Sequence, residues 1–254
     1  MSVTIKSARE IELMRQAGRI LAKTHEELAK ALRPGMSTWD VDHLGEEIIR
    51  SYGCIPSFKN YNGYPASICV SVNEEVVHGI PSKKRILKEG DIVSLDAGVI
   101  YKGYHSDAAR TYGIGTISPE AAKLIEVTRQ CFFEGIKYAK IGNHLNDISS
   151  HIQAYAEQFG YGVVRDLVGH GIGSHLHEDP EVPNFARRFR GLRLREGMTL
   201  AVEPMINAGV KDVCWLDDDW TVVTQDGSLS AHYENTILIC ENGPEILSLS
   251  AEGL

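Results

Sequence analysis

Residues 87–96, LKEGDIVSLD, and residues 194–203, LREGMTLAVE, are two versions of one segment. Each opens on Leu, a basic residue, Glu and Gly, enters an apolar run, and closes on an acid. They stand 107 positions apart, and the same offset joins Gly35 to Gly142, Asp40 to Asp147, Val41 to Ile148 and Gly53 to Gly160. Self-similarity at a fixed offset marks an internal repeat. It also superposes Asp96 on Glu203, each a carboxylate closing a strand-like run. A buried charge is costly unless something other than hydrocarbon meets it. These two acids therefore point to a site as well as to a fold.

The flanking pattern repeats in the same way. Ser7-Ala8-Arg9-Glu10 reads as a capping box, and Ile11, Met14, Leu21 and Leu28 follow at helical spacing up to Pro34-Gly35. A second helix starts near Ser37 or Thr38, carries Val41, Leu44 and Ile48, and stops at Gly53. Strands follow at Ile68–Val72, Val76–Gly79, Ile92–Ile100 and Tyr104–Tyr112. Ser118-Pro119 then opens a helix to about Lys140, another runs from about Asn143 to Phe159, and strands and turns complete the chain. Helix, helix, strands thus occurs over about 7–113 and again over 118–247, in one domain expected to span 1–254. Two related halves packed as one unit bring Asp96 and Glu203 close to the axis between them.

The composition excludes several classes of function. The hydrophobic fraction of 43% and charged fraction of 24% suit a globular core, and a net charge of -8 gives no reason to expect a nucleic-acid backbone or anionic membrane as partner. Five cysteines without a CxxC argue against a disulfide framework or a cysteine zinc site. No apolar run approaches the ~20 residues of a membrane span. The N-terminal residues MSVTIKSARE lack the apolar stretch of a signal peptide. A soluble cytoplasmic protein is the expectation.

In residues 90–113, GDIVSLDAGVIYKGYHSDAARTYG, Lys102-Gly103 is a two-residue hairpin turn. Tyr101 then faces Tyr104, and Asp107 lies opposite Gly98, diagonal to Asp96 on one face at roughly 7–8 Å. Gly98 leaves the gap between the two acids open. Glu234 heads another apolar run, and His170 sits among glycines in VGHGIGSHLHEDP, residues 168–180. That segment also holds His175 and His177, which leaves a separate three-histidine zinc site as an alternative. Four carboxylates repel one another unless they take up protons or hold cations. Two divalent cations balance their formal charge, and an oxygen-rich set with one imidazole suits manganese, iron(II) or cobalt, with zinc also able to occupy it. Two metals ~3.5–4 Å apart can share a hydroxide and clamp a hydrolytic transition state.

With residues 61–81 (YNGYPASICVSVNEEVVHGIP) and 219–239 (DWTVVTQDGSLSAHYENTILI) added to these segments, the chain resembles the type I methionine aminopeptidases from about Ile5 to Leu247. The resemblance implies an α+β pita-bread fold, a pseudo-twofold repeat of helix-helix-strand halves around a central curved antiparallel sheet. It implies two divalent ions (cobalt, manganese, iron, zinc or nickel) on Asp96, Asp107, His170, Glu203 and Glu234, with Asp107 and Glu234 bridging. His78 would contact the substrate amide, His177 would hydrogen-bond the scissile carbonyl, and Glu203 would also shuttle a proton. Phe58, Tyr61, Tyr64, Cys69 and Trp220 would line the methionine slot. The implied activity is removal of the N-terminal methionine from nascent chains with a small second residue, by a cytoplasmic monomer that meets its substrates at the ribosome. A start almost directly in the shared fold fits the short bacterial-type form. The likeness departs at Asn235, where members often carry His, and at Phe185-Ala186-Arg187-Arg188, where they are richer in glycine and proline. A pita-bread Xaa-Pro aminopeptidase and a non-enzymatic pita-bread binding module are the alternatives.

Overall fold

The computed structural model describes residues 3–249. The outermost positions of the expected 1–254 span therefore lie outside the described residues. Two helix pairs flank antiparallel sheets. The first pair is α1 (Ala8–Ala31) and α2 (Thr38–Ser51); the second is α3 (Pro119–Ile136) and α4 (Leu145–Glu157). The α1 capping box forms as the sequence predicts: Ser7 N–H donates to Glu10 Oε2 at 2.7 Å, and Glu10 N–H donates to Ser7 Oγ at 3.4 Å. Met14, Leu21 and Leu28 of α1 are buried as their spacing predicts, and Ile11, the first of the predicted stripe, is half-buried.

The 107-residue offset reappears in the backbone. Gly35 N–H donates to Leu87 O at 2.8 Å, and Gly142 N–H donates to Leu194 O at 3.0 Å. Leu87 and Leu194 return the bond to Met36 and Asn143, each at 2.8 Å. Gly35 and Gly142 take φ of 91° and 92°, a conformation natural only to glycine, which is why the repeat keeps glycine there. The Asp40 and Asp147 side chains each accept from the backbone three residues earlier, at Ser37 and His144 and both at 2.8 Å. Each half has its own core: α1 and α2 cover one around Leu95, Ala97 and Val99, and α3 and α4 cover one around Leu200 and Val202.

Element ends differ slightly from expectation, for local reasons. Helix α3 stops at Ile136 because Tyr138 N–H and Ala139 N–H bond back to Gly135 and Ile136, tightening the last turn. Helix α4 begins at Leu145, since Asp147 caps His144. The strand expected at Val76–Gly79 is Glu75–Val77, because His78 turns to a left-handed φ of 59°.

The hairpin Ile92–Tyr101/Tyr104–Gly113 has the expected register, with Tyr101 opposite Tyr104 and Gly98 opposite Asp107. Lys102 and Gly103 both have positive φ, 48° and 86°, as a twisted two-residue turn requires. Gly98 is needed for a further reason besides the gap beside it. A Cβ there would stand 2.6 Å from Ser57 Cβ and 2.9 Å from Phe58 Cε1. Gly98→Ala is therefore expected to cost about 1–3 kcal/mol by overpacking, seen as a lower denaturation midpoint, and to push Phe58 out of place.

The hairpin belongs to a four-stranded sheet in the first half, and Thr199–Val202 to a five-stranded sheet in the second. A seam joins them. Ala109 and Glu234 exchange backbone bonds, Ala109 N–H to Glu234 O at 3.4 Å and Glu234 N–H to Ala109 O at 2.9 Å. On either side, threonine hydroxyls replace the backbone partner. Thr236 Oγ1 accepts from Asp107 N–H at 2.8 Å and donates to Asp107 O at 2.9 Å. Thr111 Oγ1 does the same for His232, at 2.9 Å each way. The central sheet is thus two sheets stitched along residues 107–111 and 232–236, and that seam carries two of the expected acids.

Candidate active site and metal centre

A cavity of about 190 Å³ opens over the seam. All twelve side chains predicted for the site line it. Asp96 and Asp107 come from the first hairpin, diagonal to each other across a register in which Asp96 faces Ala109. His170 lies in the short strand Gly169–Gly171, opposite Ala201 and so beside the end of Thr199–Val202. Glu203 follows that strand, and Asn184 Nδ2 holds its backbone carbonyl at 3.0 Å. Glu234 sits on the seam.

Ligand atoms of Asp107, His170 and Glu234 lie within 4.8 Å of one another. His170 Nε2 is 3.9 Å from Asp107 Oδ2 and 3.7 Å from Glu203 Oε1. His170 Nδ1 is 2.8 Å from Gly171 O, which can only accept, so Nδ1 carries the proton and Nε2 turns a lone pair towards the acids. Asp96 Oδ1, Asp107 Oδ1 and Glu234 Oε1 are buried with no hydrogen-bond partner among the described residues. Burial raises the Asp96 carboxyl to about 7. Asp107, Glu203 and Glu234 are pushed well above the carboxylate range, first by burial and then by one another's charge. The fold therefore gathers acids that cannot all ionise alone, beside one lone-pair nitrogen. That donor set fits two divalent cations.

An apolar slot adjoins the acids. Tyr64 packs edge-on to Trp220 at 5.1 Å between ring centroids, and its hydroxyl donates to Gly79 O at 2.9 Å. Phe58 and Cys69 are buried in the same cluster, and burial pushes the Cys69 thiol up, so it packs as a neutral group. His78 stands edge-on to Trp220, held by its strained backbone. His177 is at the exposed mouth, with Nδ1 2.9 Å from the Tyr61 hydroxyl. His175 is exposed and absent from the lining, so the three histidines of the 168–180 segment do not assemble a zinc site of their own. Sequence reasoning missed Met205, Leu176 and His232, which also line the cavity. His232 had a usable signal: it stands two residues before Glu234, so extended backbone turns both side chains to one face.

A family model described as metallopeptidase family M24 matches residues 12–241. A methionine aminopeptidase of Clostridium acetobutylicum is 61% identical over 247 residues, 97% of this chain and 99% of that protein. The chain belongs to the methionine aminopeptidases of family M24. A solved methionine aminopeptidase from Thermotoga maritima matches at a TM-score of 0.96 and 48% identity, covering 98% of this chain and 100% of that one. An Xaa-Pro dipeptidase from Bacillus anthracis is more distant, with a TM-score of 0.77, 27% identity, and coverage of 97% of this chain but 62% of that one. The pita-bread fold of the family is the fold of this chain, and the stitched antiparallel sheets with paired helices are its form here.

Proposed function

We propose that the chain is a single catalytic unit that removes the N-terminal methionine from nascent proteins and peptides with a small second residue. One observation carries this reading. Asp96, Asp107, His170, Glu203 and Glu234 line one cavity of about 190 Å³ together with the apolar slot, and ligand atoms of Asp107, His170 and Glu234 lie within 4.8 Å of one another. Two divalent cations on Asp96, Asp107, His170, Glu203 and Glu234, with Asp107 and Glu234 shared, would supply the charge that makes water nucleophilic near neutral pH. Each remaining role falls to a side chain. Phe58, Tyr61, Tyr64, Cys69 and Trp220 take the thioether side chain, which packs well on aromatic edges and a thiol. His177 offers a hydrogen bond to the scissile carbonyl oxygen as charge develops there. His78 meets the substrate amide at the far side of the slot. Glu203 accepts a proton and delivers it to the leaving amine.

The enzyme works as a monomer in the cytoplasm on chains leaving the ribosome. No helix among the described residues is long and apolar enough to cross a membrane.

After exhaustive chelation the protein should not cleave Met-Ala-Ser, and a series of added divalent metals should restore cleavage. Xaa-Pro peptides should remain uncut. Cleavage of Xaa-Pro peptides alone would transfer the chain to the prolidase-like activity. A titration with neither cation uptake nor turnover would leave a binding module.

A further inference from the structure

His232 lies in the cavity wall, 2% exposed, and both of its ring nitrogens lack a hydrogen-bond partner among the described residues. Its backbone is fixed, because Thr111 Oγ1 bonds both its N–H and its carbonyl. A buried imidazole always has an N–H to place, and leaving it unpaired is unfavourable. A residue that served only to fill this wall would be better as a leucine or methionine. An acceptor stands nearby in the cavity: Glu203 Oε2 is 4.0 Å from His232 Nε2.

The two oxygens of Glu203 face different chemistry. Oε1 looks at His170 Nε2 across 3.7 Å, and that nitrogen bears a lone pair because Nδ1 bonds to Gly171 O. Two lone pairs facing each other call for a cation between them. Oε2 looks at His232, whose N–H is free. A donor on Oε2 fixes the rotation of the carboxylate, so that Oε1 stays aimed at the cation side. The 4.0 Å gap closes by a small side-chain rotation or by one bridging water.

We propose that His232 is a positioning residue for Glu203, acting through a hydrogen bond from its imidazole N–H to the carboxylate oxygen that faces away from His170. This rests on the role given to Glu203 above.

The test compares wild type with His232→Leu, His232→Met and His232→Gln on Met-Ala-Ser, after chelation and reloading with manganese. Calorimetric titration of the chelated proteins with manganese gives a readout independent of turnover. The apolar variants are expected to lose roughly 10–100-fold in kcat with KM nearly unchanged, and about tenfold in cation affinity, as when a group orienting a metal ligand is removed. Their thermal midpoints should fall little, since an apolar side chain of similar size offsets the one hydrogen bond lost in a buried wall. His232→Gln, whose amide can donate in the same direction, should recover most of both losses. His232→Met serves if the branched leucine fails to fold. Full turnover and affinity in a folded apolar variant would overturn the proposal. So would His232→Gln falling as far as His232→Met, or a loss confined to KM. Wild type that binds manganese without cleaving Met-Ala-Ser would sink the functional reading instead, and the titration series would still judge His232.

Discussion

Asp107→Asn is expected to lower kcat/KM on Met-Ala-Ser by on the order of 10³-fold, a loss of about 4 kcal/mol of transition-state stabilisation, while the protein stays folded. The separation follows from how Asp107 is held. Its N–H and carbonyl are both bound by Thr236 Oγ1, so the backbone position does not depend on the side chain. Asparagine has the same shape. What it removes is a full charge from a set of four carboxylates, at the residue whose ligand atom lies close to those of both His170 and Glu234. Cation content should fall with turnover. The metal-free variant should nevertheless be at least as stable as metal-free wild type at pH 8. Asp96 and Glu234 raise the Asp107 carboxyl after burial itself does, so removing that acid relieves repulsion. A variant with normal turnover would contradict the shared role of Asp107; a variant that unfolds would show the side chain to be structural.

Much of this site was legible in the sequence because its geometry is set locally. Once Lys102-Gly103 is read as the turn, a period of two fixes which residues face Asp96, and the observed register follows it. The repeat was legible because glycines at left-handed positions and aspartates at helix starts do the same work in both halves. The seam was not. Thr111 and Thr236 meet partners more than 120 residues away in sequence, and a threonine in an extended strand looks the same whether its hydroxyl stitches sheets or meets solvent. The packing against Gly98 was hidden likewise, since Ser57 and Phe58 reach it from the segment that follows the separate strand Ile55–Pro56. His232 escaped because a histidine gains meaning only from what lies opposite it. His175, which crowding in sequence made conspicuous, is turned to solvent.

The second large effect is an inverted pH dependence of stability when cations are removed. Metal-free protein should lose unfolding free energy as pH rises above about 6.5, by about 1.4 kcal/mol per pH unit for each proton that the folded state alone retains. In the unfolded chain the acids ionise near pH 4. In the folded chain Asp96 holds its proton to about 7, and Asp107, Glu203 and Glu234 hold theirs well above the usual range. The folded state therefore binds more protons than the unfolded one throughout this window, and raising the pH favours unfolding. Histidines have the opposite sign. Burial lowers His170 and His232 to about 3 and His78 to about 4, so each costs stability as pH falls below about 6.5 and is silent above it. The alkaline window thus isolates the carboxylates. With cations bound, the charge that protons had balanced is balanced without them, and the decline should vanish. Urea midpoints of chelated and reloaded protein across the window test this directly. Parallel curves would mean the four acids do not share a cation site. The chelated Asp107→Asn protein should give a shallower slope than chelated wild type, which ties the missing charge to the missing protons in one measurement.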